Sequence, residues 1–224
     1  MNHLDQELKS LKEEINSMWL LVISQLHKTQ QALLTFDQDL AREVLMNEKR
    51  VDAMELKIDL DCENLIALFN PVAIDLRFIL AGLKINNNLE RIGDIAKGIA
   101  KLIVQTEQSF DQNLIESTET NIMFEEAIDM LSDLQQVFEA ENTKEARKIF
   151  ARDEILNEIN HKINTTIQLY IQQNPDKIDQ ALNIHSTIRK LERIGDQTTN
   201  IAEEIIFFIE AKVLKHSKKN KKQE

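Results

Sequence analysis

A glutamate and an aspartate stand four residues apart at Glu90 and Asp94, and again at Glu192 and Asp196. Both pairs belong to one hexapeptide, Leu-Glu-Arg-Ile-Gly-Asp, which occurs at Leu89–Asp94 and at Leu191–Asp196, 102 residues later. A helix sets residues i and i+4 on one face about a turn apart, so each copy presents a carboxylate pair. A longer acidic row, Glu48, Asp52, Glu55 and Asp59, steps four, three, four. Like charges so spaced destabilise a helix by about 0.2–0.5 kcal/mol per pair, and a cation beside them would turn repulsion into attraction. In the second half Asp153 aligns with Glu48 but Asn157 with Asp52, leaving an amide oxygen where an acid stood. Oxygen donors with no adjacent histidine or cysteine suit hard ions, namely iron in its ferric form, manganese, magnesium or calcium, better than zinc. The chemistry these residues offer is cation binding, and the plainer alternative is a solvated helix surface, which alone does not require the identical repetition.

Other chemistries find little support. No G-x-G-x-x-G, Walker loop or G-x-S-x-G elbow occurs, and no nucleophile stands beside a base. Ferritin-like di-iron bundles place inward E-x-x-H pairs, and neither hexapeptide carries a histidine. His185 reads as a surface or seam residue, and Trp19 and Tyr170 as core or edge residues. The chain is therefore not expected to be an enzyme.

The elements that carry these acids follow from the repeat. Ile99-Ala100 recurs as Ile201-Ala202, and the two prolines, Pro71 and Pro175, each follow an asparagine about twenty residues before a hexapeptide. A repeat of this kind marks a duplicated structural unit. Leu4, Leu8, Leu11, Ile15, Met18 and Val22 alternate steps of four and three, the seam of a bundled helix running to about Phe36. A second helix from Asp37 should face inward with Val51, Met54, Ile58, Leu65 and Leu68, and end near Asn70. Pro71 suits the first turn of a third helix, whose seam is Ile85, Leu89, Ile92, Ala96, Ile99 and Ile103.

The second unit repeats the plan over 114–140, 143–173 and Pro175–Lys212. Its last seam runs through Ile184, Leu191, Ile194, Ile201, Ile205 and Phe208, with Thr187 and Thr198 as weaker members. The expected fold is all-α and elongated: two tandem, pseudo-repeated three-helix bundles over 1–107 and 113–212. Residues 213–224 form a basic tail expected to be disordered. By the 100° helical step, Glu90, Asp94, Glu192 and Asp196 should point away from the seams. Gly93 and Gly195 cost a mid-helix position ~1 kcal/mol against alanine, so their repetition suggests close helix approach or room for a ligand.

Charge and composition narrow the partners. Residues 1–211 hold 21 basic and 37 acidic side chains, a net charge of −16, while Lys212–Lys222 carries six lysines. Such a body should repel nucleic acid and attract cations or a basic partner. The apolar runs Met18–Ile23 and Ile205–Ile209 are too short to span a bilayer. No signal peptide is evident, and the single Cys62 fits a reducing compartment, so a cytoplasmic location is expected.

The twin hexapeptides, together with Pro71-Val-Ala-Ile-Asp-Leu-Arg-Phe78, resemble the PhoU family of phosphate-signalling regulators over nearly the whole chain before the tail. That resemblance implies the same fold of two three-helix bundles. It also implies a non-enzymatic negative regulator that links the ATPase subunit of a phosphate ABC transporter to a sensor histidine kinase, and a possible homodimer. The family's E/D-x-x-x-D motifs, which can hold iron or other metals, map onto Glu48/Asp52, Glu90/Asp94 and Glu192/Asp196, with Asp153/Asn157 as a weaker form. Asp75 and Arg77 match the entry to the third helix and are candidates for partner contact. A surface-carboxylate bundle that binds or stores metal is the other reading.

Overall fold

The computed structural model describes residues 3–214; the lysine-rich tail assigned to 213–224 lies outside them from residue 215 onward. Six long helices carry the fold: α1 (His3–Thr35), α2 (Gln38–Phe69), α3 (Ala73–Gln105), α5 (Thr120–Ala140), α7 (Ile149–Gln173) and α8 (Ile178–Glu210). Two short ones, α4 (Gln112–Ser117) and α6 (Thr143–Ala146), precede α5 and α7. Among the described residues there is no strand. At 1.5 Å per residue the four helices of 32–33 residues are rods of roughly 50 Å.

The predicted seams are the core. Every named seam residue of α3 and α8 is buried, including Thr187 and Thr198. The two threonine hydroxyls donate back to the carbonyls of Asn183 and Ile194 at 2.9 and 2.8 Å, so neither is an unsatisfied polar group. Leu68 departs from its expected place and is 73% exposed. The inward positions run instead through Ile58, Cys62, Leu65 and Phe69, whose ring stacks on His3 of α1 at 5.3 Å, so the next seam position after Leu65 falls on Phe69 and Leu68 faces out.

Helix ends differ from the sequence reading in three places. Asn70 closes α2 in the left-handed conformation at φ 48°, and α3 starts only at Ala73, so Pro71 lies before the helix and not in its first turn. The helix expected over 114–140 breaks at Thr118 and Glu119. There Thr118 Oγ1 donates to the Leu114 carbonyl at 2.7 Å and shares a hydrogen with Thr120 Oγ1, while Glu119 takes φ 53°. Such side-chain bonds compete with helix continuation. The helix expected over 143–173 is interrupted at Arg147 and Lys148, which form a turn between α6 and α7.

The two units join along α3 and α8. Lys84 Nζ lies 3.0 Å from Glu204 Oε2, and Lys190 Cε would lie 3.2 Å from a Cβ added to Gly98. Moving fourteen residues up α3 thus moves fourteen down α8, so the two helices run antiparallel. In that register Gly93 is level with Gly195, and both hexapeptides sit at the same height about a pseudo-twofold axis. An aromatic cluster seals one end: Phe78 of α3, Phe138 of α5 and Phe208 of α8 lie 5.5–6.3 Å apart, and Trp19 of α1 reaches Phe138 at 5.6 Å. Arg77 Nε donates to the Phe208 carbonyl at 3.2 Å, so this entry residue ties the units together.

Candidate metal and regulatory surface

In the first unit, α2 and α3 bring their acids to one flank. Gly93 lets α2 approach until Val51 Cγ1 lies 3.2 Å from where a Cβ would be. The α2 row therefore faces Glu90 and Asp94. Burial, followed by the charges of Asp94, Glu55 and Asp52, pushes the Glu90 carboxyl up to about 7. Burial raises Glu55 as well, with Asp59, Asp52 and Asp94 adding to it. The structure thus gathers Glu48, Asp52, Glu90 and Asp94 into one electrostatic cluster. Asp94 is exposed and Glu90 half-buried, but Glu48 is only 6% exposed, which a purely surface placement did not anticipate. Its position some 60° from the α2 seam is covered by the neighbouring helix.

A resident cation already serves part of this cluster. Lys97 Nζ lies 2.6 Å from Glu48 Oε1 and 3.3 Å from Asp94 Oδ1. Burial raises the Glu48 carboxyl, and Lys97 works against that rise. Lys97 escaped the reading of the motif, although its spacing three residues beyond Asp94 was the available signal. At the other end of the row, Asn86 Nδ2 donates to Asp59 Oδ1 and to the Glu55 carbonyl, both at 2.9 Å.

The second unit offers a poorer version. Asp153 is 1% exposed, and Asn157 Nδ2 donates to its Oδ2 at 3.2 Å. Glu192 is raised by burial, then by Asp196 and Asp153, while Arg189 and Arg193 pull it down. Asp153, Asn157, Glu192 and Asp196 therefore form a second cluster with less uncompensated negative charge. Among the described residues no three histidine, cysteine or acidic side chains converge as a metal cage. The oxygen-only donors of the first unit suit a hard cation in kind. As the side chains stand, such an ion would compete with Lys97 for Glu48 and Asp94.

The repeated glycines belong to helix approach, and they are not equivalent. A Cβ on Gly195 would lie 2.6 Å from both Asp153 Oδ1 and Leu156 Cδ1, closer than real contacts allow. We expect Gly195→Ala to destabilise the fold by about 1–3 kcal/mol, the range of overpacked cores. Gly93→Ala should be near neutral, because a tight contact with Val51 offsets a helix gain of ~1 kcal/mol. Urea unfolding of the two variants checks this, and equal effects would show that the close approach at Gly195 is not limiting.

Comparison with known proteins places this arrangement. The PhoU domain family matches residues 15–103 and 120–205, one copy on each unit. The chain belongs to the PhoU family. It is 30% identical over 214 residues to the phosphate-specific transport system accessory protein PhoU homolog 1 of Thermotoga maritima, covering 95% of this chain and 91% of that protein. It is also 30% identical over 210 residues to the phosphate-specific transport system accessory protein PhoU of Escherichia coli K12, covering 94% and 86%. The crystal structure of PhoU from Pseudomonas aeruginosa superposes with a TM-score of 0.89 at 27% identity, covering 94% of this chain and all of that one. As a PhoU-family protein, the chain is a phosphate-transport accessory and regulatory protein and not an enzyme. Among the described residues no helix is long and apolar enough to cross a membrane.

Proposed function

We propose that this chain is a negative regulator of phosphate uptake and phosphate-starvation signalling, acting in the cytoplasm as an adaptor between a phosphate ABC transporter's ATPase subunit and a sensor histidine kinase. The observation that carries the reading is the family match over both units, on a fold whose repeated motif surfaces at one level on α3 and α8. An adaptor needs a rigid body with faces for more than one partner, and a joined pair of bundles supplies it. Asp75 is kept as a contact candidate at the α3 entry, whereas Arg77 already serves the fold through Phe208.

Deleting the gene should derepress alkaline phosphatase in phosphate-rich cells, and truncation after Ala211 should preserve repression because the lysine tail lies outside the family match. Capture of the transporter ATPase subunit or the kinase by the full chain would support the adaptor role. Unchanged phosphatase in the deletion strain would reject it.

A second reading rests on Glu90, pushed up to about 7 beside Asp94, Glu55 and Asp52. Such crowded carboxylates favour a hard cation, held by Glu48, Asp52, Glu90 and Asp94, with Asp153, Asn157, Glu192 and Asp196 as the weaker set. Iron or manganese, and less readily magnesium or calcium, would supply fixed positive charge there. Elemental analysis after reconstitution should find metal that falls in Glu90→Ala with Asp94→Ala. No bound metal at neutral pH would dismiss this reading.

A further inference from the structure

Where α3 packs on α8 a shallow hollow lies over one half of the contact, and the residues that line it have counterparts under the 102-residue repeat on the other half. In the first half the charges cancel. A space of about 360 Å³ is lined there by Lys84 and Arg91 against Glu203 and Glu204, with Asn87 and Asn88 beside them. Lys84 closes its own pair with Glu204 at 3.0 Å.

The second half has diverged in one direction. Arg193 repeats Arg91, but Arg189 stands for Asn87, Lys190 for Asn88 and Lys101 for Glu203, while Leu102 replaces Glu204. Ser186 stands for Lys84, so four cations and no acid occupy positions whose counterparts sum to zero. The stem of Lys190 crosses α3 at Gly98, which has no side chain to block it, and its Nζ donates to Ser186 Oγ at 2.8 Å. Glu192 stands on α8 between Arg189 and Arg193 and answers part of their charge.

We propose that this surface, where Arg189, Lys190 and Arg193 of α8 and Lys101 of α3 are the repeat's counterparts of residues that share one hollow, binds a small phosphate-bearing anion. Guanidinium forks engage phosphate oxygens in bidentate fashion, and Arg189 and Arg193 stand one turn apart on α8. Four cations on one stretch of surface call for an anion of at least two charges. Extended polyanions fit less well. The acidic clusters stand on the same two helices, Glu90 and Asp94 on α3 and Glu192 and Asp196 on α8, and would repel a duplex or an anionic bilayer laid across them.

Titration calorimetry of the full chain with pyrophosphate and with inorganic phosphate, free of divalent ions, tests the site. Saturable binding is expected that weakens with added salt. Arg189→Gln with Arg193→Gln should weaken it at least tenfold, and Lys101→Gln on the facing helix should weaken it independently. Arg50→Gln, on the far face of α2, should leave it unchanged. Circular dichroism confirms folding of each variant. Absence of saturable binding by either anion would overturn the proposal, as would unchanged affinity in both the arginine pair and the lysine variant. Displacement of pyrophosphate by an equal concentration of hexaglutamate peptide would refute the phosphate class. The result is independent of the repression assay, since the chain could bind the anion without repressing or repress without binding it.

Discussion

Trp19→Ala is expected to destabilise the protein by about 3–5 kcal/mol, the range for removing a large buried aromatic side chain. Trp19 is fully buried, contacts Phe138 at 5.6 Å and donates its indole N–H to the Leu131 carbonyl at 3.0 Å. It is thus an α1 residue anchored on α5, and its loss opens a cavity where the units meet. For a chain of this size 1 kcal/mol shifts the melting temperature by roughly 2–4 °C, so a fall on the order of 10 °C is expected. Trp19→Phe keeps most of the volume and forfeits the hydrogen bond, a net loss of about 1 kcal/mol. The protein has a single tryptophan, so circular dichroism must follow the unfolding. Equal melting temperatures for the alanine variant and the parent would mean that the aromatic cluster does not hold the units together.

What the sequence revealed and what it hid divide along physical lines. The seam from Ile85 to Ile103 was legible because apolar spacing at helical period is a local property of the chain, and burial follows it residue by residue. The break at Thr118 and Glu119 was not legible. Ser117, Thr118, Thr120 and Asn121 are weak helix formers, but the apolar pattern continues past them, and the break itself arises from hydroxyl bonds to Leu114 and Thr120 that only the folded turn assembles. The carboxylate pairs could be found from their repetition, but their burial could not. Glu48 and Asp153 are covered by helices whose approach depends on Gly93 and Gly195. Lys97 was hidden for a related reason: its partner Glu48 lies on another helix, forty-nine residues earlier. Likewise the hollow between α3 and α8 follows from an antiparallel register that no single helix encodes.

Glu90 offers a test in which folding and regulation move in opposite directions. Its folded carboxyl sits near 7, above the ordinary value of 4.5, so the folded state holds this proton more tightly than the unfolded chain does. The resulting stability is full below about pH 4.5 and is lost as pH rises through 7. Metal-free protein should therefore melt at lower temperature at pH 8 than at pH 5.5 on this account. Glu90→Gln should flatten that dependence and raise the melting temperature at pH 8, because the neutral amide removes one charge from the crowd. Glu90→Lys goes further, setting a cation among Asp94, Glu55 and Asp52, and should leave the protein folded at neutral pH. If the acidic surface is what a partner or a metal recognises, Glu90→Lys with Glu192→Lys should nonetheless derepress an alkaline phosphatase reporter in phosphate-rich cells. Reporter activity and melting curves on the same variants decide between the accounts. A stable double variant that still represses would remove the repeated motif from the regulatory surface, and a melting temperature insensitive to pH in both parent and Glu90→Gln would remove the raised carboxyl from the argument.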